Sequence, residues 1–368
     1  MPSAVPQVKP LEKWHRPGKT TYNLPWADLS VIDLSTFDEP GGKEALATQL
    51  RDAVHRDGFF SVIGHGFTEE EIERQFSIGQ AFFAQPLEEK SRAESRCNFD
   101  QGNYFGYRAP FERTVMGTDV LDNVESINIP KFIPELENEP HHPFLKPFEA
   151  EIEDFSRRSW EVARKVMVLC AIVLEIPEDF FVSRHLYESK SDDHLRYMMY
   201  RKRRQEDDIK VQNTWARSHT DFGSLTLLWS QNVVALQIRT HQGDWKYVRP
   251  IDGSIVCNIA DTLSFWSAGY LKSTIHRVVR PPPDQDNIDR LGLLYFVRPA
   301  NDADIVPAPS PLLKRLGLVT EEEQHAEPVK GLEYVRSRVK EFHNRKDLNS
   351  RPGEKLKVGN LEVELEVI

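Results

Sequence analysis

HLRYMMYR (194–201), SLTLLW (224–229), ALQIRT (235–240), SIVCNIA (254–260), LSFWSA (263–268), STIHRVV (273–279) and LGLLYFV (291–297) follow one another through the second half of the chain. After about residue 193 the apolar period changes from 3.6 to 2, and Gly, Pro, Asn and Asp fill the gaps between the runs. Some seven short strands at close spacing, with no helix between them, predict an antiparallel sandwich or jelly roll. They argue against a parallel sheet built of strand–helix–strand units. A mainly β core is the expectation.

Upstream of that core the pattern is mostly helical, behind a polar arm that runs to about residue 25. Residues 43–56 (KEALATQLRDAVHR) place Leu46, Leu50 and Val54 on one stripe; Gly58 ends the helix, and FFSVIGHG reads as a short buried strand. Thr68 with Glu71 predicts a capping box for a helix that closes before Pro86. A longer helix is expected from Phe144 to Ile176, charged early and apolar late, as in an element that dives into the core. Downstream, GLEYVRSRVKEFHNR is helical again, and LEVELEVI alternates as an extra strand or a solvent-facing tail.

The chain has 368 residues with 39% hydrophobic and 28% charged side chains, which is a globular composition. No uninterrupted apolar span is long enough to cross a membrane. The net charge of −10 argues against nucleic acid or an anionic membrane as partner and leaves a small molecule. Cys97, Cys170 and Cys257 are odd in number and widely spaced, so neither a disulfide framework nor a zinc knuckle is indicated. With no signal visible in the proline-interrupted start of the chain, a cytoplasmic location is expected.

His219-Thr220-Asp221 stands just before SLTLLW, and in an extended segment residues two apart project to one face, so both side chains can reach one metal. His276, in STIHRVV, offers a third ligand. Two imidazoles and a carboxylate form the facial triad that leaves adjacent positions open on iron(II) for a chelating cosubstrate and O2. A second HxD, His55-Arg56-Asp57, ends a helix, where i and i+2 diverge, and is set aside. A turn with an Asx-type hydrogen bond is the alternative for His219 and Asp221. Arg290 opens another strand; a buried arginine there needs an anion, its fork matching a carboxylate, whereas a surface position after DQDNID is the plainer reading. Tyr200 could donate to the same carboxylate or be an ordinary core tyrosine.

These residues, with WARSHTDFGSLTLLW, the run from Ala235 to Val279, and Arg290 followed by Phe296 and Pro299, resemble the iron(II)/2-oxoglutarate-dependent dioxygenases of the isopenicillin N synthase-like class. DLSVIDLS, RDGFFSVIGHGF, FFAQPLEEK, GYRAP and NVESINIP are similar to the family's N-terminal region, so the resemblance covers about residues 25–300. It implies a double-stranded β-helix with His219, Asp221 and His276 as iron ligands and catalytic centre. It also implies Arg290 on the distal carboxylate of 2-oxoglutarate, with Tyr200 assisting. The expected partition is an arm (1–25), a mainly helical region (26–190), the iron- and 2-oxoglutarate-binding jelly roll (191–300), and a C-terminal helix and tail (301–368). The implied chemistry is hydroxylation, desaturation or ring closure of a small metabolite, in specialised metabolism, through a ferryl-oxo species with release of succinate and CO2. A cosubstrate-independent oxidase and a metal-free jelly-roll binding protein are the competing readings.

Where the family has Arg-x-Ser, this chain has Arg290-Leu291-Gly292, so the supplementary hydroxyl is missing; a water or Thr226 could replace it, and Arg298 is the next arginine to consider. On HLRYMMYR the period of two puts Arg196, Met198 and Tyr200 on one face. Arg196 then pairs with Asp192 or Glu125, or it clamps the carboxylate of a small acidic or amino-acid-like substrate between Tyr107 and Phe222.

Overall fold

The computed structural model describes residues 11–115, 117–325, 327–344 and 355–364. Twelve strands build the core: β1 (Val31–Asp33), β2 (Phe59–Ile63), β3 (Gly106–Arg108), β4 (Val124–Pro130), β5 (His194–Tyr200), β6 (Thr214–His219), β7 (Leu225–Trp229), β8 (Leu236–Arg239), β9 (Trp245–Tyr247), β10 (Ile255–Ile259), β11 (His276–Val279) and β12 (Arg290–Val297). Eight of them form one sheet in the order β1-β2-β10-β7-β12-β5-β4-β3, and four form a second, β6-β11-β8-β9. All pairings in both sheets are antiparallel except that of β1 with β2. The jelly roll is therefore present, and strands from before residue 190 extend its larger sheet.

Five helices of consequence accompany the sheets: α1 (Gly42–Arg56), α2 (Glu69–Phe83), α3 (Glu149–Val173), α4 (Asp261–Trp266) and α5 (Gly331–Asn344). Leu46, Leu50 and Val54 of α1 are buried on one stripe. Gly58 follows with φ +63°, where an added Cβ would lie 2.0 Å from the Lys272 carbonyl oxygen, so the turn into β2 requires glycine. The Thr68–Glu71 capping box opens α2. The helix expected from Phe144 starts instead at Glu149, behind a 3-10 stretch over Pro143–Phe148. Pro147 explains the delay: it has no N–H to donate, and proline disfavours helical geometry in the residue before it.

LSFWSA is a helix, not a strand; α4 covers Asp261–Trp266, with Leu263 and Trp266 fully buried. A short apolar run has no period by which the two can be told apart. Five of the twelve strands, β1, β3, β4, β6 and β9, were not expected. The arm is no loose appendage over its described part: Trp14 stacks on Phe76 at 4.3 Å and its main-chain N–H donates to Ser77 Oγ. Of LEVELEVI, Leu361–Glu364 pairs with Lys355–Val358 as a hairpin, and the remainder lies outside the described residues.

Alternation along two strands then places the site. On β5 and β12, Leu195, Tyr197, Leu291, Leu293, Tyr295 and Val297 join the main core beneath the helices. The intervening Arg196, Met198, Tyr200, Arg290, Leu294 and Phe296 face a cavity between the two sheets. Among the described residues no helix is long and apolar enough to cross a membrane.

Candidate active site

His219 ends β6 and His276 begins β11; the two are register partners, with ring centroids 4.3 Å apart. Two residues beyond the end of β6, the Asp221 carboxylate meets both. Its Oδ1 is 3.8 Å from His219 Nε2 and its Oδ2 is 3.8 Å from His276 Nε2. The three ligand atoms all lie within 4.8 Å of one another, on the cavity wall. His55, by contrast, stacks on Tyr270 at 4.2 Å while Asp57 pairs with Arg56, so the second HxD forms no such cluster.

The hydrogen bonds around the triad leave little freedom. His219 Nδ1 is 2.9 Å from the Arg217 carbonyl oxygen and His276 Nδ1 is 3.1 Å from that of Thr274. A carbonyl only accepts, so each Nδ1 carries the proton and each Nε2 turns a lone pair toward Asp221. Burial drives the His219 imidazole down to about 3, which keeps it neutral. Burial alone would raise the Asp221 carboxyl; His276, His219 and hydrogen bonds from Asn258 (3.0 Å) and Thr226 (2.7 Å) reverse this and hold it at about 2. Two imidazoles and an ionised, hydrogen-bonded carboxylate opening on a cavity fit iron(II).

Arg290 is buried, not on the surface, and its guanidinium lies 5.3 Å from the Tyr200 ring in the same cavity. Its one hydrogen bond among the described residues runs from Nε to the Val233 carbonyl oxygen at 3.3 Å. Burial works against the charge, and among the described residues no carboxylate opposes it. Burial also raises the Tyr200 phenol, so it remains a donor. Thr226 does not replace the missing serine, because its hydroxyl is committed to Asp221.

Phe222 lines the cavity. Tyr107 does not: it points to the opposite side of β3, where its hydroxyl donates to Glu125, and its neighbour Arg108 takes the cavity face. Arg196 lines the cavity without either expected partner. Glu125 is held by Lys90 and Arg201, and Asp192 lies 3.7 Å from Arg336. Instead the Arg196 Nε donates to Asn128 Oδ1 at 2.6 Å and the guanidinium lies over Phe296.

Several cavity residues escaped the sequence reading. Asn258 is a polar side chain on the inward face of β10, and that exception to an apolar alternation was its signal. Phe342 of α5 packs on His219 and Phe222, with ring centroids 5.9 and 5.6 Å away, and no local pattern announces such a contact.

Residues 177–299 match the 2OG-Fe(II) oxygenase superfamily, and residues 29–149 match the family described as non-haem dioxygenase in morphine synthesis N-terminal. A UPF0676 protein of Schizosaccharomyces pombe is 31% identical over 76% of this chain and 84% of its own. Homoarginine-6-hydroxylase of Oryza sativa subsp. japonica is 28% identical over 77% and 88%. A full-length Neurospora crassa protein, solved in complex with alpha-KG and thymine, superposes with a TM-score of 0.73 at 26% identity, over 87% of this chain and all of its own. With the jelly roll, the clustered triad and these likenesses together, the chain belongs to the iron(II)- and 2-oxoglutarate-dependent oxygenases, enzymes that use iron(II), 2-oxoglutarate and O2.

Proposed function

We propose that the chain hydroxylates a small organic acid: substrate, 2-oxoglutarate and O2 become hydroxylated substrate, succinate and CO2. His219, Asp221 and His276 hold the iron, Arg290 with Tyr200 holds the distal carboxylate of the cosubstrate, and Arg196 with Phe222 receives the substrate. Bound iron supplies the activation of O2. The side chains supply placement: Asn258 and Thr226 orient the carboxylate ligand, the backbone carbonyls of Arg217 and Thr274 orient the imidazoles, and Phe342 shields His219 from solvent.

The observation that carries the reading is Arg290, a buried guanidinium on the cavity wall that no acid of the described protein neutralises. A cosubstrate-independent oxidase has no use for it, whereas a dicarboxylate chelating the metal needs such a partner at its far end. Relatives differ in what their names record. One acts on homoarginine, which carries a carboxylate, and one was solved with thymine, which does not, so the acid is argued from the cavity's arginines.

Metal content after anaerobic reconstitution with iron(II), and succinate formed per O2 consumed, test this. One iron per chain and a ratio near unity are expected. His219→Ala, Asp221→Ala and His276→Ala should each lose iron and turnover while keeping the native circular dichroism. O2 consumption without succinate would overturn the cosubstrate assignment.

A further inference from the structure

Six arginines line the cavity, Arg108, Arg113, Arg196, Arg217, Arg290 and Arg298, against two aspartates, Asp122 and Asp221. Asp221 belongs to the metal triad, and Asp122 pairs with Arg108. In a chain of net charge −10 this is a local reversal of sign, and a cavity of about 200 Å³ concentrates it. Cosubstrate accounts for Arg290 alone.

At the other end two guanidiniums converge. Arg298 is 3% exposed, and its Nε and Nη1 make no hydrogen bond. Its main-chain N–H donates to Asp193 Oδ1 at 2.6 Å, which fixes the backbone and leaves the side chain to the cavity. The guanidinium stands 5.9 Å from the rings of both Phe222 and Phe296. Arg196 lies 4.3 Å over the same Phe296 ring, held by Asn128 and 3.2 Å from His194 Nε2. Strand register separates this pair from the cosubstrate end. Arg290 is opposite Tyr200, while Arg196 is opposite Leu294, four positions further along β12. At a strand rise of 3.3 Å per residue that is about 13 Å along the backbone, which sets the pair toward the other end of the cavity from Arg290.

Resting on the hydroxylase reading above, we propose that Arg196 and Arg298 jointly hold the carboxylate of a substrate that carries no free ammonium group. Two buried guanidiniums facing one cavity repel each other, and a carboxylate offers enough lone pairs to accept from both forks. Phe296 is the floor on which the Arg196 guanidinium rests, turning its N–H groups to the cavity, and Phe222 is a wall for the apolar body. An amino acid would bring an ammonium group beside two guanidiniums, which repel it, while Asp221 belongs to the metal triad and Asp122 is paired with Arg108. The substrate is thus an organic acid of the arylalkanoate or alkanoate kind.

Binding to the protein loaded with manganese(II) and 2-oxoglutarate under argon tests this, with 3-phenylpropionate, its amide, L-phenylalanine and hexanoate as probes. The acids should bind the native protein at least about tenfold more tightly than the amide or the amino acid. Arg196→Met and Arg298→Met should each weaken the acids by about tenfold or more, with 2-oxoglutarate affinity changed by less than about threefold. If Arg196→Met weakens the acids and Arg298→Met does not, the pair is wrong and the single-arginine reading stands. Should Arg298→Met weaken 2-oxoglutarate instead, that arginine serves the cosubstrate and the proposal falls. Equal binding of acid and amide by the native protein would remove the carboxylate reading altogether, and tight binding of phenylalanine would remove the exclusion of ammonium. Arg298→Lys, which keeps the charge and loses the fork, is read by the same criterion if the methionine variant does not fold; unchanged acid affinity in it overturns the pair.

Discussion

At Gly292 the chain lacks the hydroxyl that its family places two residues beyond the arginine, and the space for one is there. A Cβ on Gly292 would meet Leu294 Cδ1 at 3.4 Å and the Met198 carbonyl oxygen at 3.7 Å, ordinary contact distances. Gly292→Ser should therefore fold normally and lower the KM for 2-oxoglutarate modestly. Arg290→Ala should raise that KM by at least about tenfold, since a charge-assisted fork contributes upward of about 1.4 kcal/mol. Steady-state kinetics in varied 2-oxoglutarate decides both, and an unchanged KM in Arg290→Ala would move the cosubstrate to another arginine. The metal triad was legible because its chemistry is written in three residue types and its geometry in strand alternation. The environment of Arg196 was not, because Glu125 is claimed by Lys90 and Arg201 from elsewhere in the chain. Nor was Tyr107, because a three-residue strand is too short to show which face is inward.

At the scale of elements, the start of α2 is tied to α3. The Glu71 carboxylate accepts from the Thr68 N–H at 2.7 Å to close the capping box, and it also receives Arg158 of α3. That guanidinium, aided by Thr68, holds the Glu71 carboxyl at about 2, below its ordinary 4.5. The depressed value means that the contribution is complete above pH 4.5 and is lost as pH falls toward 2. With the side chain 39% exposed, solvent screening limits the loss in Glu71→Gln to about 0.5–1 kcal/mol near neutrality. Urea unfolding should show that gap at pH 7 and none at about pH 2; a constant gap would show that the charge is irrelevant. The capping box was legible because its signals are adjacent in sequence, and so were most strands. LSFWSA misled because burial on all sides erases period, and the start of α3 was displaced by one proline.

For the whole molecule, the roof of the cavity comes from outside the two stretches that match known families, 29–149 and 177–299. α5 buries Tyr334, Val335 and Val339 against the body and sets Phe342 over His219. Ending the chain after Lys330 exposes those faces, at about 1.5–3 kcal/mol for each large side chain, and should lower the melting temperature by on the order of 5 °C. A scanning calorimetry trace that does not move would show that α5 is an accessory to the fold.

Holding a substrate by its carboxylate, as the Arg196–Arg298 pair would, has a kinetic corollary. Oxidation of a carbon leaves a distant carboxylate unaltered, so such a handle cannot tell spent material from fresh. It strengthens both states equally, which lowers the concentration needed for half-saturation and does nothing for the bond-breaking step. What is gained on arrival is repeated on departure: each cycle ends with an anion leaving two guanidiniums, and egress rather than oxidation becomes the natural ceiling on turnover.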